Sequence, residues 1–161
     1  MDELTSVYIQ ESREQLAEME AGLLRLEQTP DDNDNINAIF RAAHTIKGGA
    51  GVVECHFIVS FTHLVENLLD SLRNGDMAVS ATITTLLLEC CDHMGQLLAV
   101  LAAQAAEPDS NLLAHGDTLT ARLKDIIEGT GTAPAGSSLT VRDDDDGDEV
   151  ESSGGGVVNT D

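Results

Sequence analysis

Residues 40–51 read Phe40-Arg41-Ala42-Ala43-His44-Thr45-Ile46-Lys47-Gly48-Gly49-Ala50-Gly51. Gly48, Gly49 and Gly51 sit inside an apolar pattern of helical spacing, where each costs about 1 kcal/mol relative to Ala at an exposed position. Such a cost argues that side-chain volume has to be absent there. At about 100° per residue, Arg41, His44, Gly48 and Gly51 share one face, while Ile36, Ile39, Ala43, Ile46 and Ala50 turn towards a core. The imidazole of His44 then stands above bare backbone. Lys47, one turn on, can reach over the same patch.

A second stretch complements the first. In Thr62-His63-Leu64-Val65-Glu66-Asn67-Leu68-Leu69-Asp70-Ser71-Leu72-Arg73 the apolar residues take one side. His63, Glu66, Asp70 and Arg73, with His56 before them, take the other. His63 and Glu66 are helical neighbours. If the two stretches form a hairpin, Glu66 comes near His44, accepts the N–H of one ring nitrogen and fixes the tautomer. The other nitrogen is left unprotonated and nucleophilic. A histidine, a lysine, a carboxylate and cleared backbone suit a residue that takes up and hands on a phosphoryl group. Lys47 would offset charge on the phosphoryl oxygens, and the glycines would admit the active site of a bulky partner.

Other chemistries fit less well. Helical bundles can hold two metals with Glu from two helices and Glu-x-x-His from two others. Here the order, His63-x-x-Glu66, is reversed and has no second copy, so no metal ligand set is expected. The chain has no Gly-x-x-x-x-Gly-Lys-Ser/Thr loop or other recognisable ATP site, so by itself it reads as substrate and carrier. His56, His93 and His115 have no motif around them and read as surface or boundary residues. Met19, Met77 and Met94 read as core filler. Cys55, Cys90 and Cys91 are odd in number, and two are adjacent. They read as small buried hydrophobes in a reducing cytosol and not as a disulfide framework.

Helices must position these groups. Leu4, Val7, Tyr8, Leu16, Met19, Leu23, Leu24 and Leu26 trace an apolar stripe that predicts a first helix from Asp2 or Glu3 to about Glu27, stopping before Pro30. Asp31-Asp32-Asn33-Asp34 offers caps for a second, running towards Val53. A third carries Phe57, Ile58, Phe61, Leu64, Val65, Leu68, Leu69 and Leu72 to Asn74-Gly75. Ser80 caps a fourth that ends before Pro108. A fifth, over Asn111–Glu128, is interrupted by Gly116. The expectation is an all-α, antiparallel bundle with a four-helix core and a fifth C-terminal helix, over residues 1–129.

Composition agrees. The 161 residues hold four aromatic side chains, Tyr8, Phe40, Phe57 and Phe61, which argues for an aliphatic helical core against a sandwich or barrel. The net charge of −21 argues against nucleic-acid partners and anionic membranes. No apolar run comes near the ~20 residues of a membrane helix, and the acidic start lacks the regions of a signal peptide. From Thr130 on, six glycines, many Ser and Thr, and the run Asp143–Asp146 mark a flexible acidic Gly/Ser-rich linker over 130–161. A linker of that kind suggests the front piece of something longer. The helical part keeps a charge of −14.

His44-Thr45-Ile46-Lys47-Gly48-Gly49-Ala50-Gly51 resembles the phosphorylation motif of histidine-containing phosphotransfer (HPt) domains, most closely those at the N-terminus of chemotaxis histidine kinases of the CheA kind. Thr62–Arg73 resembles their second motif, and Tyr8-Ile9-Gln10-Glu11-Ser12-Arg13-Glu14-Gln15-Leu16 their first helix. The resemblance implies His44 as phosphoacceptor at the ring nitrogen distant from the backbone, and Glu66 as the residue that orients the ring. Lys47 and His63 match assisting polar residues, and Gly48 matches the residue whose small size the site needs. Gly49 and Gly51 match the pattern without an assigned role. Where the family often has an aromatic after the motif, this chain has Val52-Val53-Glu54-Cys55. The implied partners are a histidine kinase ATP-binding domain, in the same protein or a dimer partner, and response-regulator receiver domains of the CheY/CheB type. ATP and Mg²⁺ would belong to those partners, and the domain itself would be monomeric. Two further readings stay open: an intermediate HPt domain in a multistep phosphorelay, and an acidic bundle that only binds.

Overall fold

A computed structural model of the chain describes residues 1–129; the segment read as a linker, 130–161, lies outside the described residues. Helix α1 spans Glu3–Gln28, α2 Asn33–Val52, α3 His56–Arg73, α4 Ala81–Ala102 and α5 Ser110–Glu128, with no strand among the described residues. Four starts are fixed by side-chain oxygens that accept an otherwise unpaired helical N–H. Asp2 accepts from Thr5 (2.8 Å), Asp32 from Asn35 (3.1 Å), Ser80 from Ile83 (3.2 Å) and Asp109 from Leu112 (2.9 Å).

Three ends use one device. The N–H groups of Cys55, Asp76 and Ala105 reach back to the carbonyls of Ala50, Ser71 and Val100, behind a residue of positive φ. That residue is glycine only after α3, at Gly75 (φ 79°); Glu54 (60°) and Gln104 (62°) hold the left-handed position after α2 and α4. Gln104 is why α4 stops at Ala102, well short of Pro108.

By compactness the chain divides into Met1–Thr120 and a second unit from Ala121, whose described residues are the last turns of α5 and Gly129. In the first unit, α1 packs on α2 and α4, and α3 on α2 and α4. Neighbours run antiparallel: Tyr8 lies against Gly49, and Gly22 against Ile39. The core is aliphatic, with Met19, Leu23, Ile39, Ile46, Ile58, Leu68, Leu87 and Leu98 among its fully enclosed side chains. The three cysteines are free and buried. Burial pushes Cys91 up to about 12 and raises Cys55, so both stay thiols at neutral pH.

The structure corrects four expectations. Leu4, Val7 and Leu24 are exposed, because the buried arc of α1 passes instead through Tyr8, Ser12, Met19 and Leu26. Met77 is only half-buried. By length and composition α4 is apolar enough to cross a bilayer, where the sequence reading expects no such run. Its Ile83, Leu86, Leu87, Met94, Leu97 and Leu98 are buried in the bundle core.

His93, finally, is a core residue at 2% exposure. Its ring meets Phe61 edge-on, with centroids 4.6 Å apart, and His115 at 5.3 Å. A Cβ on Gly116 would lie 2.9 Å from His93 Nε2, so this glycine is a close approach and not a mere interruption. Burial, then the neighbouring His115, holds His93 below the ordinary histidine value. The unfolded chain therefore takes up a proton that the fold resists. The stability His93 contributes is whole above the unfolded value, about pH 6.5, and is lost as pH falls through the depressed folded value. Thermal melts from about pH 7.5 to about pH 5 should fall more steeply for the wild type than for His93→Leu; parallel curves would remove His93 as the cause.

Candidate functional site

His44 and Lys47 lie one turn apart in the second half of α2, and Glu66 is at mid-length of α3. The antiparallel α2–α3 pair sets them level. The His44 ring is 61% exposed, yet its Nδ1 pairs with Oε2 of Glu66, whose side chain is 9% exposed. Oε1 of the same carboxylate meets Lys47 Nζ at 2.5 Å. Glu66 thus belongs to the buried side of α3, at the edge of the polar face on which the sequence placed it. A carboxylate only accepts, so in the neutral ring Nδ1 carries the hydrogen. Nε2 is then the nitrogen whose lone pair is free. Lys47, half-buried, neutralises Glu66 and holds it in place.

The other residues singled out in the sequence separate. His63 is exposed and, among the described residues, makes no hydrogen bond or ion pair with His44, Lys47 or Glu66. Arg41 is exposed. Arg73 pairs with Asp70 at 2.7 Å and lies over the Phe40 ring, its guanidinium carbon 3.9 Å from the centroid. Phe40 in turn stacks on His44, with rings 10° from parallel and centroids 6.0 Å apart. The i, i+4 spacing of Phe40 and His44 is set within α2, whereas Arg73 reaches the Phe40 ring from the next helix.

The glycines divide into two kinds. A Cβ on Gly48 or Gly51 would meet nothing within 4 Å. A Cβ on Gly49 would fall 2.6 and 2.7 Å from Cδ1 and Cε1 of Tyr8. The Tyr8 ring is wedged there, and its hydroxyl donates to the carbonyl of Ile46 at 2.9 Å. Gly49, unassigned from sequence, is therefore the contact that seats α1 beside the site. Gly48→Ala should raise stability by up to about 1 kcal/mol through helix propensity alone. Gly49→Ala must displace Tyr8, an overpacking that costs about 1–3 kcal/mol, and should lower it. Urea unfolding of the two variants checks the opposite signs.

The family model for the Hpt domain matches residues 3–107. The chain belongs to the Hpt domain family. Among relatives of this Hpt domain, the chemotaxis protein CheA of Treponema pallidum is 37% identical over 135 residues, 83% of this chain and 16% of that protein. CheA of Salmonella typhimurium is 44% identical over 103 residues, 64% of this chain and 15% of that protein. The chain thus spans about a sixth of the length of such relatives. Two solved structures share the fold. The phosphorylated P1 domain of CheA3 in complex with CheY6, from R. sphaeroides, superposes with a TM-score of 0.67 at 29% identity, covering 77% of this chain and 98% of that one. The solution structure of the histidine phosphotransfer domain of CheA gives 0.68 at 26% identity, over 87% and 98%.

Proposed function

We propose that this Hpt domain carries phosphoryl groups in a chemotaxis-type two-component kinase, with His44 as the acceptor. One observation carries the reading: a mostly exposed imidazole held at Nδ1 by a buried carboxylate, beside backbone with open space above Gly48 and Gly51. In the first step the Nε2 lone pair attacks the γ-phosphorus of ATP held by a kinase domain, and ADP leaves. Positive charge grows on the ring, and Glu66 offsets it through Nδ1–H. Lys47 sits close enough to turn from Glu66 towards the phosphoryl oxygens. In the second step a receiver-domain carboxylate attacks the phosphorus, the P–N bond breaks, and Nε2 recovers its electron pair. His63 has no part in the resting network and would act on the phosphorylated ring or the docked partner.

The relatives support this reading, since a P1 domain in its phosphorylated form has been seen with a CheY protein. A receiver domain of the CheY/CheB type is the proposed recipient, ATP and Mg²⁺ belong to the partners, and three buried free thiols suit a reducing cytosol. Incubation with a chemotaxis-type kinase domain and labelled ATP should add one alkali-stable, acid-labile phosphoryl group, which a receiver domain then removes. Gly48→Ala should slow both steps while the domain stays folded. Labelling only by a phosphorylated receiver domain would shift the reading to a multistep relay, and no labelling by either would leave a bundle that only binds.

A further inference from the structure

Resting on the phosphocarrier reading, we infer that Phe40, clamped by Arg73, is a positioning residue that fixes the plane of the His44 ring. The pair with Glu66 fixes where Nδ1 sits, but a single hydrogen bond leaves the ring free to swing about that nitrogen. With the ring 61% exposed, little else restrains its faces. Phe40, one turn before His44 on the same face of α2, supplies the second restraint. Its ring lies 10° from parallel with the imidazole at 6.0 Å between centroids, within the range of aromatic pairs.

Phe40 is itself only half-buried and would rotate without support. The support is Arg73, whose guanidinium carbon stands 3.9 Å from the Phe40 centroid, a cation over a ring face. Arg73 is held in turn, since its Nη2 donates to Asp70 Oδ1 at 2.7 Å and Asp70 Oδ2 accepts from Asn74 at 3.4 Å. The chain Asp70–Arg73–Phe40–His44 thus runs from the end of α3 back to the reacting ring. With Glu66 it gives the imidazole two points of restraint, one in its plane and one on its face. That aims the Nε2 lone pair before a partner arrives, so less ordering is left for the encounter.

The test compares Phe40→Leu, Phe40→Tyr and Arg73→Ala by two readouts. The ¹⁵N shifts of the His44 ring report its tautomer and the strength of its hydrogen bond to Glu66 without any kinase, and phosphorylation by a chemotaxis-type kinase domain gives kcat and KM separately. Phe40→Leu keeps bulk but loses the stack. It should move the ring shifts off their wild-type values, as the swinging ring loosens its hydrogen bond to Glu66, and lower kcat about three- to ten-fold, the range an aromatic pair commands, with KM little changed. Phe40→Tyr keeps a ring and should restore both. Arg73→Ala, an exposed change that leaves the core alone, should fall between. Wild-type ring shifts in Phe40→Leu, or a loss in Phe40→Tyr equal to that in Phe40→Leu, would overturn the inference. If the wild type is not phosphorylated at all, the carrier reading fails, and the ring shifts still decide whether Phe40 positions His44.

Discussion

His44→Gln is expected to abolish phosphorylation by a histidine kinase domain while the bundle folds as before. Glutamine has an amide in place of the imidazole and so no basic lone pair for phosphorus, which removes the proposed acceptor outright. The fold should be indifferent, because the side chain is 61% exposed and Lys47 still neutralises Glu66 at 2.5 Å. Exposed substitutions of this kind shift stability by no more than about 0.5 kcal/mol. Radiolabel uptake alongside thermal melts makes the measurement. Equal labelling of the variant and the wild type would sink the assignment, and label found on His63 would move the site to α3.

Glu66→Gln should slow phosphorylation about 10- to 100-fold, the usual cost of losing a carboxylate that orients a histidine. The amide keeps the volume but can donate to Nδ1 as well as accept from it, so it no longer dictates which nitrogen carries the hydrogen. Glu66→Ala should be at least as slow. Neither variant should unfold the domain, since Lys47 and His44 both reach solvent once released and an enclosed carboxylate adds little net stability. Single-turnover rates with saturating ATP, set beside urea unfolding, separate the two effects. Rates unchanged in both variants would take Glu66 out of the mechanism.

Much of this was legible in the chain. Five helices followed from apolar spacing and from caps such as Asp32 and Ser80. The pairing of His44 with Glu66 followed from putting two helical faces together. What escaped had physical reasons. The left-handed turns at Glu54 and Gln104 lack the glycine that marks such a turn at Gly75. His93 reads as polar, yet the bundle makes room for a neutral ring between Phe61 and His115. Gly48 and Gly49 look alike in sequence, and only the position of Tyr8 tells open space from tight contact. Arg73 over Phe40 needs the register of two helices, which composition does not carry.

The seat of Tyr8 has an optical consequence. The chain has one tyrosine and no tryptophan. Its near-ultraviolet absorbance and emission therefore come mainly from a single phenol lodged on Gly49, three residues from Ile46 and five from His44 in the chain. Burial pushes that phenol up to about 12, away from its ordinary value. An alkaline absorbance titration then reads the α1–α2 seam directly: a late tyrosinate signal in the intact protein, and an earlier one, nearer the free value of about 10, once the ring is dislodged. The protein thus carries its own native chromophore at the seat of α1 on α2, with no dye or tag to attach.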